Sequence, residues 1–226
     1  MAFVSTVGFD LLPRWVRTFR EQYPRVDLEL IEATGDVQLQ AFERGEIDAG
    51  FMLHSPGFAP PGLAAQRIVD EKLVLAMPAQ DELVWKKDLG LKDILGRPLV
   101  VFPRRIVPSL YDAIFAMYHA ADESPRVAQE AIQMQTIVNL VAAELGVAWV
   151  PESVQQFKRP GVAYRSMKEG KAKTTRTGRS RLPVPLCETS LVWPAARGNP
   201  VLERFVTFIA RTDNQKYQVT TRNGAK

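Results

Sequence analysis

The sequence predicts an α/β fold of two Rossmann-like subdomains in series, and three observations carry that expectation. Apolar runs with strand spacing alternate with runs of helical spacing from Phe3 to Leu53, and again from Leu99 to Val150. Between the two stretches lie extended segments that no helix follows directly. After them comes a closing amphipathic helix, whose apolar face has to cover an earlier part of the chain.

The first unit opens with the strand fragment Phe3-Val4, the turn Ser5-Thr6-Val7-Gly8 and a helix expected over residues 10–22. Leu11, Leu12, Trp15, Val16 and Phe19 keep helical spacing there, and Pro24 disfavours its continuation. Residues 26–30 alternate apolar and polar as a half-buried strand does. Thr34-Gly35-Asp36 offers a helix start, Gly45 its stop, and residues 49–53 a buried strand. Past a Pro/Gly-rich loop, extended segments are expected at 64–69 and 73–77. The second unit reads as strand 99–102, the loop Pro103-Arg104-Arg105, helix 109–119, strand 126–130, helix 134–145 stopped by Gly146, and strand 147–150. Strands at 162–167 and 186–193 follow, then a helix at 200–211 with Val201, Leu202, Phe205 and Ile209 on one face. If that helix packs on the first unit, two crossover strands join the halves. The expected division is 1–69 with 188–212, then 70–187, then a flexible tail over 213–226.

With 226 residues and 46% hydrophobic content, the chain is long and apolar enough to bury a full core. No apolar run approaches the roughly 20 residues needed to span a bilayer, and the N-terminus lacks the pattern of a signal peptide. A soluble, cytoplasmic protein without membrane partners is expected. The single cysteine, Cys187, excludes an internal disulfide framework and a multi-cysteine zinc site, and reads as a buried small hydrophobe. The net charge of +4 is local: the segment from Lys168 to Arg181 holds six of the 29 basic residues and one of the 25 acidic ones, leaving 23 and 24 elsewhere. That composition reads as a flexible, solvated loop and not as a face of the fold, with contact to DNA phosphate as the alternative use of it.

In open α/β sheets, ligands bind beyond the carboxyl ends of the strands, where loops lead into helices. Four loops meet that description, two from each half, and together they would surround one cleft. Ser5 and Thr6 either cap the following helix or face a ligand, and two hydroxyls exceed what one cap needs. Thr34 has the same two readings, with Gly35 allowing close backbone approach. Arg104 and Arg105 are solvated charges or carboxylate partners. The polar loop over 129–135 contributes Gln129, Gln133 and Gln135 as candidates. His54 follows the third strand and lines the cleft if the strand-end rule holds there, whereas His119 suits a helix C-terminus. No nucleophile elbow, Walker-type loop, HExxH or metal-ligand spacing occurs, so neither catalysis nor a cofactor or metal is expected.

The residues resemble the effector-binding domain of LysR-type transcriptional regulators. The matching stretches are Phe-Val-Ser-Thr at 3–6, Leu-Leu-Pro-Arg at 11–14, Phe-Arg-Glu-Gln-Tyr-Pro at 19–24 and Gly-Glu-Ile-Asp-Ala-Gly-Phe at 45–51. Phe-Pro-Arg at 102–104, Leu-Val-Ala-Ala-Glu-Leu-Gly-Val-Ala-Trp-Val-Pro at 140–151 and Pro-Gly-Val-Ala-Tyr at 160–164 complete the series over nearly the whole chain. The resemblance implies a fold like the type II periplasmic binding proteins, a small-molecule effector between the subdomains, and contacts from Ser5, Thr6, Gly35, Pro103 and Arg104. It looks most like the subgroup that senses aromatic acids or their ring-opened products, so an aromatic or dicarboxylic acid is the expected inducer. One departure stands out. A basic residue can follow the Gly-Phe strand in that subgroup, and here the stretch is Met52-Leu53-His54, so either His54 takes its place or the ligand differs.

The family also implies a homodimer or homotetramer, formed through the helices at 10–22 and 109–119, and DNA contact through an N-terminal domain that precedes this one. Met1 stands two residues before the first strand, so a sensor domain without sequence-specific DNA binding of its own is expected. The competing readings are a transport-type solute-binding protein and an enzyme on the same scaffold.

Overall fold

The computed structural model describes residues 1–9, 11–167, 183–196 and 198–222, with side chains of the last helix described to residue 212. The first unit runs β1 (Ala2–Phe3), a single helical turn α1 (Ser5–Gly8), α2 (Leu11–Gln22), β2 (Ile31–Glu32), α3 (Gly35–Arg44) and β3 (Gly50–His54). β1 lies between β2 and β3 and is parallel to both, as a doubly wound unit requires. Next comes β4 (Ala64–Pro78), followed by the second unit: β5 (Leu99–Val101), α4 (Pro108–His119), β6 (Val127–Glu130), α5 (Met134–Ala142) and β7 (Ala148–Pro151). The chain closes with β8 (Val162–Arg165), β9 (Leu186–Trp193) and α6 (Pro200–Arg222).

Several expectations are corrected by these elements. Residues 26–30 form no strand: Val26 N–H bonds Tyr23 O, pairing begins at Ile31, and Val26 and Leu28 pack against the α2/α6 core instead. The segments at 64–69 and 73–77 are one 15-residue strand, β4, about 50 Å long at the usual rise per residue. α5 stops at Ala142 and not at 145, because Glu144 takes the left-handed conformation at φ 62°. Its N–H bonds Val141 O while Leu145 N–H bonds Leu140 O, the paired ending that usually recruits glycine. Gly146 has another use, since a Cβ there would collide with the Pro98 backbone. α6 continues past 211 to Arg222, through most of the expected tail. Asp10, the basic segment 168–181 and residues 223–226 lie outside the described residues.

β4 joins the two halves. Its first part pairs with β9, from Ala64 opposite Trp193 to Lys72 opposite Leu186, with one register shift between Arg67 and Val69. Its last part pairs with β7 and β8. The strand order is β2-β1-β3-β9-β4-β7 with β8 also on β4, and a bridge from Leu99 to Val147 brings β5 and β6 alongside β7.

Each half has its own core. In the first, α2 and α6 cover one sheet face: Trp15 stacks on Phe51 at 5.3 Å, and Phe19 meets Phe205 and Phe208 edge-on at 5.0 and 5.3 Å. The closing helix thus returns to the first unit. α3 covers the opposite face, with Phe42 and Met52 beside Val192. In the second half Leu75, Leu99, Ile114, Ile137 and Val150 are buried in one continuous cluster.

Candidate functional site

All four loops expected from strand polarity converge on one cavity between the halves. Ser5 and Thr6 reach it after β1, Ala33 and Thr34 after β2, Phe102, Ile106 and Val107 after β5, and Ile132, Gln133 and Met134 after β6. Val4 and Leu53, at the ends of the first strand and β3, complete the wall. The cavity is small, about 30 Å³, enough for a water molecule. A roomier groove of about 590 Å³ beside Arg20, Tyr23 and Arg25 lies away from all four loops.

Local bonding explains how the first half holds its share of the wall. Val4 N–H bonds Phe51 O and Ala33 N–H bonds Phe3 O, which extends the sheet just past the strand ends. Gln38, fully buried on α3, donates from Nε2 to Ala33 O at 2.8 Å and to Phe51 O at 3.1 Å. One amide therefore clamps the loop that carries Thr34 to β3. A Cβ at Gly35 would stand 3.0 Å from both Ile106 O and Met52 Cε, so a glycine lets the two halves approach here.

Ser5 and Thr6 do not act as caps. Both lie inside α1, whose N-cap is Val4 with no side-chain bond. Thr6 is 5% exposed and its Oγ1 is buried without a hydrogen-bond partner. Such an orphaned hydroxyl is costly unless something pairs with it. Gln133 is the N-cap of α5, also without a side-chain bond, and the first turn of α5 carries no acid, so the positive end of that helix dipole faces the cavity wall uncompensated. Thr34 turns its hydroxyl onto Asp36 Oδ1 at 2.5 Å.

The charged candidates sit elsewhere. Arg104 makes a two-pronged bond to Asp112, Nε to Oδ1 and Nη2 to Oδ2, both at 2.7 Å, and does not line the cavity. That bond holds the Asp112 carboxyl below its ordinary range and raises the guanidinium. Arg105 Nε lies 3.7 Å from Asp36 Oδ2, an exposed ion pair that crosses from the second half to the first. Pro103 is buried and its carbonyl accepts from Ile106 N–H, which shapes the loop from behind the wall. Gln129 is exposed and bonds Glu130 O, and Gln135 has a buried Oε1 without a partner, but neither lines the cavity.

His54 is buried away from the wall. Its Nδ1 lies 2.8 Å from Ser55 O, and Nε2 faces Glu188 Oε1 at 3.8 Å. Glu188 in turn accepts from Ser190 Oγ and Gly57 N–H, and Ser55 N–H donates to Ser109 Oγ at the start of α4. Side chains alternate along a strand, so Leu53 and not His54 meets the cavity. The apolar wall, Val4, Leu53, Phe102, Ile106, Val107, Ile132 and Met134, is not among the residues that strand polarity predicts, although each lies within a few residues of one that is. Burial pushes the Cys187 thiol up, in keeping with an inert core position. Among the described residues no group of three or more His, Cys, Asp or Glu side chains can hold a metal ion, and no helix is long and apolar enough to cross a membrane.

Comparison with known proteins bears on the family and the fold. The family model for the LysR substrate binding domain matches residues 1–213. The HTH-type transcriptional regulator IlvR of Caulobacter vibrioides is 35% identical over 212 residues, which are 92% of this chain and 66% of that protein. AlsR of Bacillus subtilis, another HTH-type transcriptional regulator, is 30% identical over 167 residues, 74% of this chain and 55% of that protein. The chain thus spans less than two thirds of the length of these relatives. Among solved structures, the effector-binding domain of BenM with its effector benzoate superposes with a TM-score of 0.72 at 21% identity, covering 97% of this chain and 91% of that one. The effector-binding domain of QuiR in complex with shikimate gives 0.76 at 15% identity, with 95% of each chain covered. These likenesses show the two-subdomain fold of the type II periplasmic binding proteins. The chain belongs to the LysR substrate-binding domain family.

Proposed function

We propose that this chain is the ligand-sensing part of a cytoplasmic LysR-type transcriptional regulator, and that a small carboxylate binds in the cavity between the halves 1–69 with 188–212 and 70–187. The observation that carries the proposal is the buried, unpartnered Thr6 hydroxyl beside the uncapped N-terminal turn of α5. A carboxylate there accepts from both, and a charge-assisted bond of this kind contributes about 1.5–3 kcal/mol. The cavity is too small for such a ligand as it stands, so binding is coupled to a change in the separation of the halves. The site is one for binding and not for catalysis: the polar groups on its wall are hydroxyls and amides, with no acid, base and nucleophile set among the described residues.

Effector binding is read out through a homodimer or homotetramer that positions DNA-binding domains. The pairing surface is α2 of one protomer with α4 of the other, supported by an apolar groove of about 570 Å³ along α2 and lined by Phe3, Val16 and Leu30. Sedimentation that shows only monomer at high concentration counts against it. For the site, a thermal-shift screen of small acids followed by calorimetry is decisive. Thr6→Val should weaken the best acid by roughly tenfold or more, and Arg104→Ala should leave it within about twofold, in line with the loss of one charge-assisted bond. Equal affinity of Thr6→Val and the parent protein would move the site elsewhere.

A further inference from the structure

Resting on that reading of the cleft, we infer that its ligand carries a single carboxylate on a compact apolar body, and that Leu53 is the residue that excludes a second carboxylate. The wall of the cavity is chemically lopsided. Its polar side chains are Ser5, Thr6, Thr34 and Gln133, and the Thr34 hydroxyl is already spent on Asp36. Ser5, Thr6 and the first turn of α5 supply donors enough for one carboxylate, and no charged side chain lines the cavity among the described residues. The two cations of the loop after β5 are paired elsewhere, Arg104 with both oxygens of Asp112 and Arg105 with Asp36 at 3.7 Å. The remainder of the wall is aliphatic or aromatic, and a carboxylate buried against it has nothing to pair with.

Leu53 decides the matter because it is where β3 delivers a side chain to the cavity. It is 6% exposed, lies at the end of the first half's sheet, and packs into the core of the second half. The next residue, His54, is the nearest group on that strand able to carry positive charge, and its ring is turned onto Ser55 O and Glu188. No cation therefore reaches the cavity from β3.

The test uses two matched pairs of acids in calorimetry on the chain as it stands: isobutyrate against methylmalonate, and benzoate against isophthalate. The first pair exchanges one methyl group for a carboxylate, and the second adds a carboxylate to the ring. The expected result is that the monocarboxylate of at least one pair binds, with its dicarboxylate weaker by more than about tenfold, since buried charge without a partner is strongly rejected. Leu53→Arg should reverse that preference, and Leu53→Met should keep it. If Leu53→Arg fails to fold, the selectivity of the unaltered chain and of Leu53→Met still decides. Dicarboxylates that bind the unaltered chain as tightly as their partners, with binding still lost in Thr6→Val, would overturn this inference and leave the cleft assignment intact. Binding that Thr6→Val does not touch would overturn both. Binding of neither member of either pair would overturn the monocarboxylate class.

Discussion

Thr6 and Gln38 show opposite uses of a buried polar group. Gln38 spends its amide on two carbonyls and so fixes a loop, and Gln38→Leu should cost about 1–3 kcal/mol in urea melts by removing the amide bond to Ala33 O and leaving Phe51 O with Val4 N–H alone. An unchanged midpoint would show that water replaces the amide. Thr6 keeps its hydroxyl unpaired, and a site that stores such a cost should be stabilised when the group is removed. Thr6→Val is therefore expected to raise the melting temperature of the free chain slightly while it weakens acid binding, two signs that one scan with and without ligand separates. At this scale the sequence was partly legible. Strand polarity pointed to Ser5, Thr6 and Thr34 without knowledge of their contacts. It did not separate Leu53 from His54, because a one-residue change in strand phase swaps which of them faces the cleft. Nor did it show that Arg104 finds Asp112, eight residues away and one helix turn into α4, before it finds a ligand.

Helix ends give the sharpest test among the elements. α3 ends on Gly45 at φ 73°, with the same pair of bonds that close α5 on Glu144. A side chain in the left-handed region costs about 1–2 kcal/mol, so Glu144→Gly should stabilise the chain by about 1 kcal/mol in equilibrium unfolding. A loss of stability would mean that the Glu144 side chain makes a contact worth more than the strain. The seam between α2 and α6 rests on Phe19, which touches Tyr23, Phe205 and Phe208, and Phe19→Ala should cost about 3–5 kcal/mol. The elements most visible in the sequence were the amphipathic helices and the apolar run over 50–53 of β3, where packing and local preference agree. β2 was misplaced because an alternating pattern records which side chains are buried and not whether the backbone pairs. Val26 and Leu28 are packed without being in a strand. β4 looked like two segments because Asp70, Glu71 and Lys72 interrupt the apolar run where the strand passes from one half to the other.

The whole molecule should lose stability at high pH. Burial pushes the Tyr164 phenol up to about 12 and also raises that of Tyr118, whose oxygen accepts from Trp149 Nε1. In the unfolded chain both titrate at about 10, so their contribution is complete below that value and is lost as pH rises through their folded-state values, about 12 for Tyr164. Tyr164→Phe should flatten the alkaline limb of a plot of melting temperature against pH, and an identical limb would assign it to other groups. The division into two similar units was readable from the repeated alternation, but the sharing of β4 by both was not, since its partner β9 lies more than a hundred residues further along the chain. β9 has a consequence in time as well as in space. It is wedged between β3 and β4, with Leu191 opposite Phe51, and α6 must then cover the face beneath. On a ribosome, where domains form as their residues emerge, the half that begins the chain cannot close until residues near 209 have been made. The interior half, whose strands and helices lie between residues 73 and 165, can finish first. Synthesis order and folding order are thus inverted, and β3 must wait with one edge exposed for its last partner.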